Sequence, residues 1–323
     1  MKQMVVTRFG GPEVVELHEV AVPEPGAGEV RIKVAAAGMN YADIMQRDGL
    51  YPNGPQPPYG AGFEVAGLID QVGPNVTGWN TGDTVMAFCQ NGYSEYVIAP
   101  AAFLLPKPVE LTFEQASAIP CQYLTAYHAL LTLGRLKAGQ TVLVQAAAGG
   151  LGTMLVQIAS NVGATVIGTC STAEKCTLIR DLGCHFPVNY AEEDLGTRVR
   201  EITAGKGCDL IIESVGGDTF DQSLRCLKSR GVLVTLGVAS KNVPTVNPVE
   251  LLANNWTVAG FHLMGYTTDA EAMSDALADL QSWLADGKLA VIVRHVFPLE
   301  LAAEAMRQIS DRKTVGKVVL TTV

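Results

Sequence analysis

The rhythm of hydrophobic positions changes twice along the chain. Up to about residue 100, short Val/Ile-rich runs at 30–35, 65–72, 84–87 and 94–98 are separated by Gly, Pro and Asn clusters such as 23–28 and 73–75. That is the pattern of short strands joined by tight turns. Residues 1–8 also run straight into a strand-like pattern, so a barrel-like or sandwich-like all-β region is expected first. Near Leu111 the texture turns helical, with Thr112 to Gln115 reading as a cap and a helix expected through Ala129 and Leu130. From 141 to 260, apolar strands (141–146, 165–169, 210–213, 231–236, 257–259) alternate with amphipathic helices (153–162, 174–182, 219–227). This alternation predicts a parallel, doubly wound sheet. Beyond 260 only a helix at 270–285 and a strand at 317–321 remain, too little for a domain, so the tail is expected to return to the first one. The expected division is therefore 1–121 completed by 261–323, with 122–260 as the second domain.

Composition narrows the function classes. A chain of 323 residues with 48% hydrophobic and 17% charged residues can bury a large core, which excludes disorder and small stapled scaffolds. A formal charge of −9 with no offsetting Lys/Arg cluster disfavours nucleic acid and anionic lipid as partners. The most apolar stretch, 141–168, is interrupted by Gln145, Gln157, Asn161 and glycines, so a membrane span is not expected. A small-molecule ligand remains. The seven cysteines form an odd set without a C-x-x-C pair, and no signal-peptide pattern opens the chain; reduced thiols and a cytoplasmic protein are expected. The five histidines are scattered, none with a second ligand at helical spacing, so no metal site is expected.

The strongest chemical signal is the run from Val142 to Gly152, a buried strand that turns through Ala148, Gly149, Gly150, Leu151 and Gly152 into a helix. Glycines there let the backbone turn sharply and approach a pyrophosphate, which the unpaired N–H groups and positive end of the following helix attract. The next strand ends near Ser171, where an NAD-preferring site would carry an acid for the ribose 2′-hydroxyl. No acid is present. Ser171 and Lys175 instead offer a hydroxyl and a cation suited to a 2′-phosphate, which makes NADPH the expected cofactor; a merely solvated Lys175 is the alternative.

Several motifs together resemble the zinc-independent quinone oxidoreductase branch of the medium-chain dehydrogenase/reductase superfamily over nearly the whole chain. Gly38-Met39-Asn40-Tyr41-Ala42-Asp43 with Gly49-Leu50-Tyr51-Pro52 resembles its G-x-N-x-x-D…G-x-Y-P segment, and residues 60–67 its P-G-x-E-x-x-G segment, with Ala61 in place of Pro. Gly82-Asp83-Thr84-Val85, Leu124-Thr125-Ala126-Tyr127 and Ala146 to Gly152 resemble G-D-x-V, L-T-A-Y and A-A-x-G-G-x-G. The resemblance implies a GroES-like, mostly β domain completed by the C-terminus, together with a Rossmann-type domain, and commonly a homodimer, here around 257–263. In zinc-dependent relatives a Cys and a His ligate zinc at the positions resembling Asn40 and Phe63, and neither residue here can do so. The resemblance places Asn40 beside the nicotinamide end, Thr125 as a hydroxyl on the cofactor side, and Ser171, Lys175 and Tyr190 around the adenosine 2′-phosphate. It places Gly237, Val238, Ala239, Phe261 and Leu263 in loops flanking the nicotinamide, and Arg312 near the cofactor phosphates; the nearby Lys317 is the alternative for that role, and two solvated side chains are the third reading.

Without zinc to polarise a carbonyl, the acceptor must already be electron-poor: a quinone or an alkene conjugated to a carbonyl. The developing negative charge needs hydrogen-bond donors in a dry site, and Asn40 and Tyr51 are the candidates. Tyr51 is read as either a proton donor or a wall residue, and Asp43 as structural. The expected function is hydride transfer from NADPH to such an acceptor. The alternatives are an enone or enoyl-thioester reductase in a fatty-acid or polyketide pathway, and a nucleotide-binding protein without catalysis.

Overall fold

The computed structural model describes residues 1–322. The chain divides into two units, Met1–Gln122 with the chain from Val291 onward, and Tyr123–Ala290. The strands are β1 (Lys2–Val6), β2 (Val15–Glu19), β3 (Glu29–Met39), β4 (Tyr59–Gly60), β5 (Glu64–Val72), β6 (Thr84–Phe88), β7 (Tyr96–Pro100) and β8 (Leu104–Pro106). The second unit holds β9 (Thr141–Val144), β10 (Thr165–Cys170), β11 (Phe186–Asn189), β12 (Cys208–Glu213), β13 (Leu227–Thr235) and β14 (Thr257–Gly260). The chain then returns with β15 (Val293–Pro298) and β16 (Lys317–Thr321).

In the first unit, β2-β1-β4 form a small sheet and β15-β16-β3-β5-β6-β8 a larger one, with β7 added on β3. Val30, Ile32 and Val34 alternate along β3 with more exposed residues and bury their side chains with Met4, Val65, Val85, Val97 and Leu320. β16 lies antiparallel beside the end of β3, with Val318 opposite Met39 and Val319 opposite Gly38. This pairing makes the C-terminal strand part of the first unit's core.

The second unit is one sheet in the order β11-β10-β9-β12-β13-β14, every adjacent pair parallel. Numbered within the unit, the order is 3-2-1-4-5-6, so successive strands are added first on one side of β9 and then, from β12, on the other. In such sheets ligands bind outside the carboxyl ends of the strands at that switch of sides. The helix Gly150–Asn161 starts there, immediately after β9. Val142, Leu143 and Val144 are all buried, as expected of a strand with both faces covered.

Three expectations need correction. The tail does not rejoin the first unit at 261. Residues 261–290 belong to the second unit, where the helix Ala270–Ala285 is held by Tyr123 Oη on the Ala276 carbonyl (2.7 Å) and by Tyr127 Oη on Asp279 (2.8 Å). The helix expected from 112 to 130 is broken into a turn at Phe113–Ala116, wide turns at Ile119–Tyr123 and His128–Leu133, and a short helix at Leu124–Tyr127. Pro120 cannot donate to the helical ladder, which favours such widening. Finally, Cys170 and Cys176 are joined by a disulfide, so the cysteines are not all reduced.

Candidate active site

Each unit carries one candidate cluster. In the first, β3 ends at Met39, and Asn40 becomes the N-cap of the short helix Tyr41–Arg47. The residue is 7% exposed, and its side chain is turned toward a buried ion pair. Lys317, from β16, donates to Glu64 Oε1 at 2.5 Å and to Asn40 Oδ1 at 2.8 Å. Asn40 Nδ2 donates to the same Glu64 oxygen at 2.5 Å, Gln122 Nε2 donates to Asn40 Oδ1 at 3.3 Å, and the Cys121 N–H donates to Glu64 Oε2 at 2.8 Å. These partners leave the amide one orientation: its oxygen must face the ammonium and its nitrogen the carboxylate. Gly38 makes the cluster possible, since a Cβ there would lie 2.4 Å from the Ser117 carbonyl, 2.6 Å from Glu64 Oε1 and 2.7 Å from Lys317 Cε. Lys317 was one of two candidates for a phosphate contact; its ammonium is instead committed within this cluster. Arg312, the other candidate, is an exposed residue with left-handed backbone (φ 58°) past the helix Ala302–Ser310.

Asp43 Oδ2 accepts the Asn40 N–H at 2.8 Å, and the carboxyl is buried. Burial pushes this carboxyl up to about 7, with the Asn40 N–H opposing the shift. Tyr51 follows the same helix and is partly buried; burial first, then the negative charge of Cys121 and Asp43, push its phenol up to about 12. Its hydroxyl therefore keeps its proton throughout the neutral range. Among the described residues, no three His, Cys, Asp or Glu side chains come together in a group able to hold a metal ion.

In the second unit, the chain leaves β9 through Gln145, whose side chain accepts from Thr169 Oγ1 (2.6 Å) and donates to Ser223 Oγ (2.7 Å). Ala146 adopts a left-handed backbone (φ 51°), and Gly149 caps the helix Gly150–Asn161. A Cβ at Gly152 would stand 2.3 Å from the Ala146 carbonyl oxygen, so only glycine permits the helix to start so close to the turn. At Gly149 a Cβ would meet only that same oxygen, at 3.4 Å, which leaves the loop open to a ligand. The N–H groups of Gly150, Leu151 and Gly152, in the first turn, lack helical acceptors by geometry. Ala148 is buried beneath them. This cradle fits a pyrophosphate.

Ser171 and Lys175 lie at the end of β10 and the start of the helix Ala173–Asp181, both partly exposed, and Tyr190 follows β11. Gly237, Val238 and Ala239 follow β13, with Ala239 N bonded to the Ser214 carbonyl (3.0 Å). Phe261 follows β14, its N–H on the Thr235 carbonyl (2.9 Å), and Leu263 opens a short helical turn. Thr125 is buried in the helix Leu124–Tyr127. All of these except Thr125 lie in the segments that follow the carboxyl ends of β10, β11, β13 and β14, Lys175 in the first turn of its helix. Glu64 and Gln122 had not been singled out as partners of Asn40. Their only sequence signal was Glu64 in the 60–67 motif, because contact across 24 and 82 residues has no local signature.

A parallel sheet in this order, with a glycine turn where the strand order switches sides, defines a dinucleotide-binding protein of the doubly wound class. Profiles of two families match the chain: "Alcohol dehydrogenase GroES-like domain" over residues 26–109 and "Zinc-binding dehydrogenase" over residues 150–280. The chain is 36% identical to a 2-haloacrylate reductase of Burkholderia sp over 328 residues, covering 98% of this chain and 97% of that protein. It is also 36% identical to a quinone oxidoreductase of Pseudomonas aeruginosa over 323 residues, covering 99% of each. The structure of Escherichia coli quinone oxidoreductase complexed with NADPH superposes with a TM-score of 0.95 at 35% identity, covering 99% of this chain and all of that one. The chain belongs to the medium-chain dehydrogenase/reductase superfamily, in its zinc-independent quinone oxidoreductase branch. It is an oxidoreductase.

Proposed function

We propose that the protein is an NADPH-dependent reductase that delivers hydride to a quinone or another electron-poor conjugated carbonyl without a metal. NADPH supplies the hydride when bound. Residues 148–152 are assigned to its pyrophosphate, Ser171, Lys175 and Tyr190 to its 2′-phosphate, and Thr125, Gly237, Val238, Ala239, Phe261 and Leu263 to its nicotinamide end. Arg312 is retained as a phosphate contact, and Lys317 is assigned to Asn40 instead.

The observation that carries this reading is the fixed amide of Asn40. One Nδ2 hydrogen goes to Glu64 and the other is directed elsewhere, which suits an acceptor oxygen gaining negative charge. The Lys317 ammonium on the amide oxygen polarises that N–H further. Tyr51, protonated at neutral pH, is assigned as a second hydrogen-bond donor to the acceptor oxygen. The relatives named above act, by name, on a quinone and on a 2-haloacrylate, both conjugated carbonyl compounds, which supports an electron-poor acceptor.

The test is NADPH oxidation by purified protein against 1,4-benzoquinone, 9,10-phenanthrenequinone, 2-chloroacrylate and crotonyl-CoA, with NADH in parallel. Turnover of the quinones with NADPH preferred supports the proposal; no NADPH consumption with any acceptor overturns it. The proposal extends to a cytoplasmic homodimer. β14 is one of the sheet's two edge strands, the exposed Val243, Val249 and Leu252 precede it in the chain, and an unpaired edge favours pairing with a second copy. Light scattering at the mass of one chain would reject the dimer.

A further inference from the structure

Cys170 ends β10 and Cys176 lies in the first turn of the helix Ala173–Asp181. Both are buried, and the disulfide joins them across a Cα–Cα separation of 6.0 Å, within the range that bridging needs. The ring it closes contains Ser171, Thr172, Ala173, Glu174 and Lys175, and so encloses two of the three residues assigned to the 2′-phosphate. The third is tied to the same point, since the Tyr190 N–H donates to the Cys170 carbonyl at 3.1 Å. Within the ring, Thr172 Oγ1 accepts the Lys175 N–H (3.2 Å) and the Thr172 carbonyl accepts the Cys176 N–H (3.0 Å), an ordinary helix start. The bridged form thus holds the loop and the helix end in one arrangement. The other five cysteines are not paired, so the bridge is specific to this loop.

We propose that the Cys170–Cys176 pair is a positioning element that sets the discrimination between 2′-phosphorylated and unphosphorylated dinucleotides, and that its reversible reduction relaxes that discrimination. The proposal rests on the assignment of Ser171, Lys175 and Tyr190 to the 2′-phosphate. Opening is a two-electron step: a dithiol, or two molecules of a monothiol of the glutathione class, breaks the S–S bond through a mixed disulfide. Two S–H bonds form on the protein and the reductant leaves as its own disulfide; closure is the reverse. In the bridged form the loop is ordered before the ligand arrives, whereas the opened loop must be ordered on binding. Immobilising one or two side chains costs about threefold to tenfold in affinity. NADH has no 2′-phosphate, so its binding is not expected to follow.

The experiment compares protein exposed to oxidised glutathione with protein treated with dithiothreitol. Iodoacetamide labelling with peptide mass spectrometry reads the thiols, and fluorescence titration reads the Kd of NADPH and of NADH. The expected result is a linked 170/176 peptide pair in the oxidised sample, an NADPH Kd about threefold to tenfold higher after reduction, and an unchanged NADH Kd. Cys170→Ser and Cys176→Ser are both expected to match the reduced protein and to ignore reductant. Complete labelling of both cysteines under oxidising conditions overturns the proposal, as does equal movement of both nucleotides or of neither. Lys175→Ala separates this from the underlying assignment. If it abolishes the NADPH preference while redox state does not touch it, only the disulfide proposal fails. If it leaves the preference intact, the 2′-phosphate assignment fails and takes the proposal with it.

Discussion

The two clusters are built from different materials. The loop after β9 is backbone: a left-handed alanine, a glycine that alone fits under a carbonyl, and helix N–H groups left without acceptors. The Asn40 cluster is side chain: an asparagine, a glutamate, a lysine and a glutamine from four separate segments, bound around one buried ion pair. A backbone cradle tolerates change at every position whose side chain points away from it and fails where a Cβ intrudes. A buried charge cluster fails whenever one charge loses its partner. The first unit therefore stakes stability on chemistry, and the second stakes it on shape.

The largest expected effect comes from breaking the ion pair. Lys317→Ala leaves Glu64 buried and uncompensated, and chemical denaturation should show a loss of roughly 3–5 kcal/mol. Lys317→Met with Glu64→Leu removes both charges and should recover most of that stability while turnover stays low. If the single substitution costs under about 1 kcal/mol, as exposed pairs do, the contrast between the two clusters collapses.

Next is Asp43, whose carboxyl lies at about 7 in the folded chain and near 3.9 in an unfolded one. Between those values the folded state binds the proton more tightly. Stability should therefore be fullest below about pH 4, fall as pH rises through about 7, and then level off, a change of up to about 4 kcal/mol. Asp43→Asn keeps an acceptor for the Asn40 N–H and should flatten that profile in urea melts run from pH 4 to 8.

In the second unit, Gly152→Ala places a methyl 2.3 Å from the Ala146 oxygen. Overpacking of this kind should cost about 1–3 kcal/mol and weaken both NADPH and NADH, because the pyrophosphate is common to them; calorimetric titration reads both. The smallest effect is Lys175→Ala, expected to raise the NADPH KM about tenfold, the equivalent of one charge-assisted hydrogen bond, with NADH spared. Equal effects on the two cofactors would count against the 2′-phosphate assignment.

Legibility in the sequence followed the same line. The βαβ alternation from 141 to 260 and the glycine turn are local, repeating patterns, and β9, β10, β12, β13 and β14 lie within a few residues of where periodicity places them. The antiparallel strand β2, with only Val15 buried, and the helix Leu195–Ile202, with two buried residues, left weaker patterns and went unread. Asn40, Tyr51 and Lys317 all stand out in the sequence, but the partners that orient Asn40 do not, and nothing local shows that Lys317 bonds Asn40 and Glu64. The disulfide was missed because cysteines six apart resemble no spaced motif. Only a strand running directly into a helix brings them within bonding reach.

Hydrophobic period, turn residues and the glycine run were enough to settle the class of fold, the glycine turn after β9 and the absence of an acid at Ser171, because each is written within about twenty consecutive residues. Which unit holds residues 261–290, where the Lys317 ammonium goes, and how Asn40 is turned were decided by packing. Those outcomes depend on charges and carbonyls drawn together from distant segments, where burial makes an unpartnered group too costly to leave.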